Sequence, residues 1–214
     1  MKVLVLAKAP VAGRVKTRLG ADVGLDVAAD LAAAALLDTI AASSAAADHC
    51  HLALDGDLEG AVRADELRDA LAGWTISPQR GDGFAERLVN AHLDAGPGVV
   101  VQIGMDTPHV TPADLRAAAD ALGEDDAVLG PALDGGWWVL VRREARTAAP
   151  LADVAMSTPT TYDDTLAALR ASGSTVAITA ALQDVDTVAD ADAVAVLAPG
   201  TRFAQAWARV GAAR

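Results

Sequence analysis

The stretch Val99-Val100-Val101-Gln102-Ile103-Gly104-Met105-Asp106-Thr107-Pro108-His109-Val110-Thr111-Pro112-Ala113-Asp114 carries the reading of the fold. Its first half is apolar and β-branched, broken only by Gln102, and ends at a glycine. A continuous run of this kind is expected of a strand buried on both faces, as in a parallel sheet. Thr111-Pro112-Ala113-Asp114 then reads as a helix start, with Thr111 as the N-cap, proline in the first helical position and Asp114 answering the cap from the third. A strand feeding into a capped helix is half of a βαβ unit. The carboxylate between them, Asp106, stands where such sheets bind ligands.

Working outward, the same alternation repeats. Val3 to Ala7 is a second buried-strand run, bounded by Lys8 and Pro10, and residues 22–45 are Ala- and Leu-rich with Leu25, Leu31, Leu36, Leu37 and Ile40 at helical spacing. His51 to Leu54 reads as a strand, 60–72 as a charged amphipathic helix, Trp74 to Ile76 as a short strand and 84–95 as a helix closed by Gly96-Pro97-Gly98. Beyond Asp114, Ala127 to Gly130 and Trp137 to Val141 are strands. Ser157-Thr158-Pro159 opens a helix to about Ala171, Thr175 to Ile178 is a strand, and Thr187 to Asp190 repeats the capping pattern. The expected fold class is α/β, with a mainly parallel central sheet flanked by helices, in a single domain over 1–214 whose C-terminal segment 200–214 is a covering helix.

Composition narrows the function. The 214 residues carry 17 basic against 29 acidic side chains, a formal net charge of −12, with 52% hydrophobic residues. Such a balance argues against a sequence-independent grip on nucleic acid or an anionic membrane. The single cysteine, Cys50, excludes an intrachain disulfide and a multi-cysteine zinc site. No apolar run reaches the ~18 residues of a membrane span, and the N-terminus does not read as a signal peptide, so a cytoplasmic protein is expected. Ala-rich helices offer a face on which a homodimer could form.

Against this acidic background, the lysines of the chain are Lys2, Lys8 and Lys16. Lys8, Arg14, Lys16 and Arg18 fall between the first strand and the first helix, where free N–H groups and local cations would favour phosphate oxygens. Neither Gly-x-x-x-x-Gly-Lys-Ser/Thr nor Gly-x-Gly-x-x-Gly is present. Asp106, at a strand end near that loop, suits a hard divalent ion, Mg²⁺ or Mn²⁺, that bridges substrate phosphates. The alternative is that Asp106 only caps its own turn. Asp184-Val185-Asp186-Thr187 is a second acidic strand-end group, and Asp186 is the natural partner for Asp106. Asp134-Gly135-Gly136 lies between two apolar strands. Paired glycines there allow a tight turn or a close ligand approach, and Trp137 or Trp138, sent to opposite faces, could stack on a sugar or base or belong to the core.

Taken together, Ala7-Lys8-Ala9-Pro10-x-x-Gly13-x-Val15-Lys16-Thr17-Arg18-Leu19, Gln79-x-Gly81-x-x-x-x-Arg87-Leu88, Gly104-x-Asp106-x-Pro108, Gly130-Pro131-Ala132-x-Asp134-Gly135-Gly136, Ser157-Thr158-Pro159 and Asp184-Val185-Asp186-Thr187 resemble a family of small bacterial proteins. These have the nucleotide-diphospho-sugar transferase (GT-A) fold and are classed as glycosyltransferases, some linked to arsenosugar biosynthesis. They are similar to the guanylyltransferases that activate 2-phospholactate in coenzyme F420 synthesis, and more remotely to the molybdenum-cofactor guanylyltransferases. The resemblance spans about residues 2–195. It implies that Lys8, Gly13, Lys16, Arg18, Gln79, Gly81 and Arg87 line the nucleotide and its phosphates. It further implies Asp106 and Asp186 as metal ligands, and Asp134, Gly135, Gly136 and Trp137 facing the acceptor or sugar. Lys16, Asp106 and Asp134 are then the expected catalytic residues. Two departures stand out: Trp137 and Trp138 follow the paired glycines, and Asp106-Thr107-Pro108 replaces the Asp-x-Asp of many GT-A enzymes.

Two enzymatic readings follow, both using a nucleotide donor and a small-molecule acceptor. In a glycosyltransferase, a metal on Asp106 neutralises a leaving nucleoside diphosphate while Asp134 orients or deprotonates the acceptor. In a nucleotidyltransferase, an acceptor phosphate displaces pyrophosphate from an NTP. A non-catalytic nucleotide-binding module is the third reading.

Overall fold

The computed structural model describes residues 1–212. In chain order the elements are β1 (Lys2–Lys8), α1 (Thr17–Val23), α2 (Leu25–Ala46), β2 (His49–Asp55), α3 (Ala64–Ala70), β3 (Thr75–Pro78), α4 (Phe84–Asp94), β4 (Val100–Ile103), α5 (Pro112–Asp120), β5 (Ala127–Pro131), β6 (Trp137–Arg142), a 3₁₀ stretch (Ala145–Asp153), α6 (Thr161–Ala171), β7 (Val176–Ile178), α7 (Val188–Leu197) and α8 (Arg202–Ala212). The strands make one sheet in the order β3-β2-β1-β4-β6-β5-β7. β1 pairs in parallel with β2 and β4, and β6 runs antiparallel to both β4 and β5. The reason for the reversed strand is length. Residues 132–136 alone join β5 to β6, enough for a hairpin but far short of a parallel crossover.

Helices cover both faces. One face packs Val3, Val5, Leu52, Val101 and Ile103 against Leu36 and Ile40 of α2, Leu67 of α3 and Leu115 of α5. The other packs Leu4, Leu6, Val100 and Leu129 against Leu88 of α4, Leu151 and Leu169. Strands β1 and β4 are buried on both faces, as their unbroken apolar runs require. Helix α2 has 14 of its 22 residues buried, because α8 and α7 form a further layer over it around Leu31, Phe203 and Val194. Its alanines permit that close approach from several sides, which explains a helix that is apolar nearly all round. Asp38 on α2 caps α8, its carboxylate accepting from the backbone N–H groups of Arg202 at 3.0 Å and Phe203 at 2.9 Å.

Several boundaries differ from the sequence reading. The helix expected over 22–45 is two helices hinged at Gly24, whose φ of 94° is open to glycine, so part of the first cationic loop is already α1. The 60–72 helix shortens to α3, because Arg63 takes a left-handed φ of 56° and locks its guanidinium on Asp30 at 2.7 and 2.8 Å. The helix expected from Ser157 begins at Thr161, and Ser157 itself is left-handed. The expected 200–214 helix is observed over Arg202–Ala212, and residues 213 and 214 lie outside the described residues. Both Thr capping boxes, at Thr111 and Thr187, are formed as read.

Candidate active site

Three segments meet at the carboxyl ends of the central strands: residues 8–18 after β1, residues 104–109 after β4, and residues 182–187 ahead of α7. The last is strung along the sheet by backbone bonds from Leu182 N to Pro131 O (3.2 Å) and from Val185 N to Asp106 O (2.9 Å). Lys16, the residue before α1, is left-handed with φ 47° and ψ 41°, a conformation that costs an L-residue about 1–2 kcal/mol. That turn drives its side chain inward, where it is only 7% exposed. Its Nζ lies 2.6 Å from Asp106 Oδ1 and 3.0 Å from Asp186 Oδ1, and it also donates to the Val185 carbonyl. Burial works against the charge, but the two carboxylates outweigh it and hold the ammonium pKa above its ordinary value. The pair expected to share a metal therefore shares a lysine.

Beside them, Asp134, Asp184 and Asp186 bring carboxylate oxygens within 4.8 Å of one another. Burial, with the negative charges of Asp134 and Asp186, pushes the Asp184 carboxyl up to about 6. Asp184 is the functional candidate that sequence reasoning passed over. The available signal was period-two alternation, which places it on the same side as Asp186, flanking the buried Val185. A set of three carboxylates, with no imidazole or thiolate among them, fits a hard divalent ion such as Mg²⁺ or Mn²⁺. The pocket they border, about 180 Å³, also includes Arg18, Leu133 and Asp190. A pocket of about 230 Å³ lies at the opposite, amino end of the strands beside Lys2, His49 and Asp94. Open α/β sheets bind their ligands at the carboxyl ends, which favours the smaller one.

The cations divide into two groups. Lys8 and Arg14 extend exposed side chains with no hydrogen bond or ion pair among the described residues. Arg18 is 76% exposed, with one long 3.4 Å contact to Asp186. By contrast Arg87, expected at the phosphates, donates to Asp55 at 2.8 Å and to the Gly81 carbonyl at 3.2 Å. Gln79 spends its amide hydrogens on the carbonyls of Ala7 and Ala53, both at 3.0 Å, so its side chain ties β1 to β2. Gly81 is left-handed, φ 128°, and the Glu86 side chain occupies the space a Cβ would need. Gly13, φ 78°, sits at the outer bend of the first loop.

At the β5–β6 turn the glycines serve the turn itself. A Cβ on Gly135 would run into the Pro159 carbonyl oxygen, and Gly136 N donates to Asp134 Oδ1 at 2.7 Å. The close approach that the pair permits is thus made by the 157–160 loop. Trp137 and Trp138 do point to opposite faces, and each indole N–H is taken, by Thr165 Oγ1 at 3.2 Å and by the Ala180 carbonyl at 2.8 Å. Trp138 is core, whereas Trp137 is half-buried against the α6 face. Among the described residues His109 Nδ1 is buried with no hydrogen-bond partner, and burial lowers the pKa of the ring.

Residues 36–158, more than half of the chain, match the family model described as "Uncharacterized protein conserved in bacteria (DUF2064)". The chain belongs to the DUF2064 family. No curated protein matches this DUF2064 chain in sequence. Among solved structures it is similar to a protein of Desulfovibrio desulfuricans G20 assigned to the nucleotide-diphospho-sugar transferases, at 26% identity and a TM-score of 0.80, over 97% of this chain and 92% of that one. The manganese complex of Rv0371c from Mycobacterium tuberculosis H37Rv matches at 25% identity and a TM-score of 0.52, over 90% and 96% of the two chains. The 2-C-methyl-D-erythritol 4-phosphate cytidylyltransferase of Thermus thermophilus shares the fold at 16% identity and a TM-score of 0.55, over 93% and 100%. The DUF2064 chain thus has an α/β fold of the nucleotide-diphospho-sugar transferase type, and its neighbours include transferases and nucleotidyltransferases. Among the described residues no helix is long and apolar enough to cross a membrane.

Proposed function

We propose that this DUF2064 protein is a metal-dependent transferase that moves a sugar from a nucleotide-diphospho-sugar to a small-molecule acceptor. The observation that carries the reading is the juxtaposition of two oppositely charged groups at the strand ends. Lys8 and Arg14, on the loop that leads to Lys16, make no side-chain hydrogen bond or ion pair among the described residues. Arg18, in the first turn of α1, makes one long contact to Asp186, and beyond them stand Lys16, Asp106, Asp186 and Asp184. Free cations bind the diphosphate oxygens, and charge-assisted bonds of this kind are roughly twice as strong as neutral ones. Asp106 and Asp186, with Asp184 beside Asp186, would hold Mg²⁺ or Mn²⁺. The manganese bound by the Rv0371c relative supports that choice. When bound, the ion supplies positive charge where the diphosphate departs. Lys16 adds its ammonium to the same region, carried on a stem buried ahead of α1.

Asp134 is the exposed carboxylate of the cluster, aimed by its bond from Gly136 N, and it orients the acceptor hydroxyl and takes its proton. In this reading Gln79, Gly81 and Arg87 shape the nucleotide side of the cleft through the 79–87 loop, and Trp137 backs the acceptor side. The likeness to the Desulfovibrio desulfuricans G20 transferase supports the sugar-nucleotide donor.

A second reading, nucleotidyl transfer from an NTP to a phosphorylated acceptor, is favoured by the excess of free cations, since a triphosphate carries more charge than a sugar diphosphate. A thermal-shift screen of NTPs and nucleotide sugars, each with and without Mg²⁺ or Mn²⁺, tests both, because a bound ligand raises stability by mass action. A metal-dependent shift with nucleotide sugars and none with NTPs supports glycosyl transfer. Pyrophosphate release from an NTP and a phosphorylated acceptor selects the second reading. No shift with any nucleotide overturns both.

A further inference from the structure

We propose that Lys16 is the resident cation of the Asp106–Asp186 pair in the ligand-free protein, so that the divalent ion enters as a chelate with the nucleotide donor and not ahead of it. This rests on the site being one for a metal and a nucleotide, and it specifies the form in which the donor is bound.

The argument is geometric. One nitrogen stands within 3.0 Å of an oxygen of each carboxylate. A magnesium ion shared by the same two oxygens needs them at about 2.0–2.1 Å, which sets its centre in the space the ammonium fills. Two cations do not share that space. Nor is Lys16 loosely held, since its three donors meet Asp106, Asp186 and the Val185 carbonyl, and its stem is buried by the left-handed turn ahead of α1. A free metal ion that evicts it leaves a buried ammonium with the Val185 carbonyl but neither counter-charge, which is costly. A nucleotide removes that obstacle, because its phosphate oxygens accept the hydrogens that Asp106 and Asp186 release. Metal and nucleotide then assist one another's binding by the same factor, as linkage demands.

The residue types agree. Lysine is a compact point charge with three rotatable donors, matched to two carboxylates and one carbonyl, whereas the planar fork of arginine is not. Arg18 supplies the internal contrast. It is exposed, its bond to Asp186 is a long 3.4 Å, and it can swing aside without vacating the shared position.

The test is a titration of the nucleotide-free protein with Mn²⁺, following the unbound ion by electron paramagnetic resonance. The wild type is expected to bind Mn²⁺ weakly, and Lys16→Met at least tenfold more tightly. That gain should vanish when Asp106→Asn is added. Arg18→Gln removes the same charge from Asp186 and is expected to change affinity by less than threefold. Lys16→Gln repeats the test should Lys16→Met fail to fold, circular dichroism melts showing which variants are native. Mn²⁺ binding by the wild type as tight as by Lys16→Met, or an equal gain in Arg18→Gln, overturns the proposal. The parent reading fails separately, if GTP, UTP and UDP-glucose with Mn²⁺ all leave the wild-type melting temperature unchanged.

Discussion

Arg142 and His92 are both fully buried, and the guanidinium of the first wraps the second: Nη2 donates to the His92 carbonyl at 2.7 Å and Nε to His92 Nδ1 at 3.3 Å. The same fork reaches the carbonyls of Gly96 and Gly98 at 2.9 and 2.8 Å. It thus holds the end of α4 and the turn into β4, at the end of the sheet remote from the carboxylates. No hydrogen bond or ion pair to a carboxylate is made by Arg142 among the described residues, and burial lowers its pKa to about 10.

Replacing Arg142 with methionine leaves three backbone carbonyls without a donor, each worth about 1–3 kcal/mol when buried. The expected loss is about 3 kcal/mol or more, a fall of roughly 10 °C in melting temperature for a chain of this size. Nucleotide binding measured well below the melting temperature should be unchanged. A variant as stable as the wild type in urea would contradict the pinning role.

His92 gives a pH signature. Burial, aided by the Arg142 charge, depresses its pKa from 6.5 to about 3. Between those values the unfolded chain takes up a proton that the folded protein refuses, so stability rises with pH through this window and is lost as pH falls. The limiting slope is about 1.4 kcal/mol per pH unit. Asp184, raised to about 6, contributes with the opposite sign and is common to wild type and variant. Urea unfolding at pH 7.5, 6.5, 5.5 and 4.5 should therefore show a smaller acid loss in His92→Gln than in the wild type. Parallel curves would show that His92 titrates normally.

Asp106→Ala removes the nearer of the two carboxylates on Lys16, which is also a carboxylate of the proposed metal site. Metal-dependent nucleotide binding should weaken at least tenfold, about 1.4 kcal/mol, in calorimetry. Lys16→Ala should weaken it far more than Arg202→Ala, a change at the start of α8. Unchanged affinity in Asp106→Ala would remove Asp106 from the site.

Gly135→Ala tests the turn. Its Cβ would collide with the Pro159 backbone, at a φ of 93°, so either the 157–160 loop or the turn must shift. A loss of about 3 kcal/mol is expected from strain of this kind. Gly136→Ala meets only the Asp134 carboxylate and should cost less stability while disturbing the acceptor side. Equal melting temperatures for Gly135→Ala and the wild type would mean that the 157–160 loop is not held against the turn.

Much of the frame was legible because it is written in neighbouring residues. The runs at Val3 and Val99 are strands because nothing charged interrupts them. The boxes at Thr111 and Thr187 form because cap and answering carboxylate lie three residues apart. The carboxyl-end rule then led to the Lys8–Arg18 loop, Asp106 and the Asp134-Gly135-Gly136 turn before any contact was known. Other features were closed to such reading. Gly24 splitting α1 from α2 depends on a φ that only the packed elbow imposes. The ion pair of Arg87 with Asp55 joins residues too far apart in sequence for their neighbours to announce it.

Periodicity and capping, which act over a few residues, were enough for most of the elements, their order and the end of the sheet where charged residues collect. Which charges neutralise one another was settled by long-range packing. Lys16 lies between Asp106 and Asp186, Asp184 joins Asp134, and Arg142 is spent on backbone carbonyls. Those choices follow from where packing brings chain segments remote in sequence, and from the cost of burying any charge that arrives without a partner.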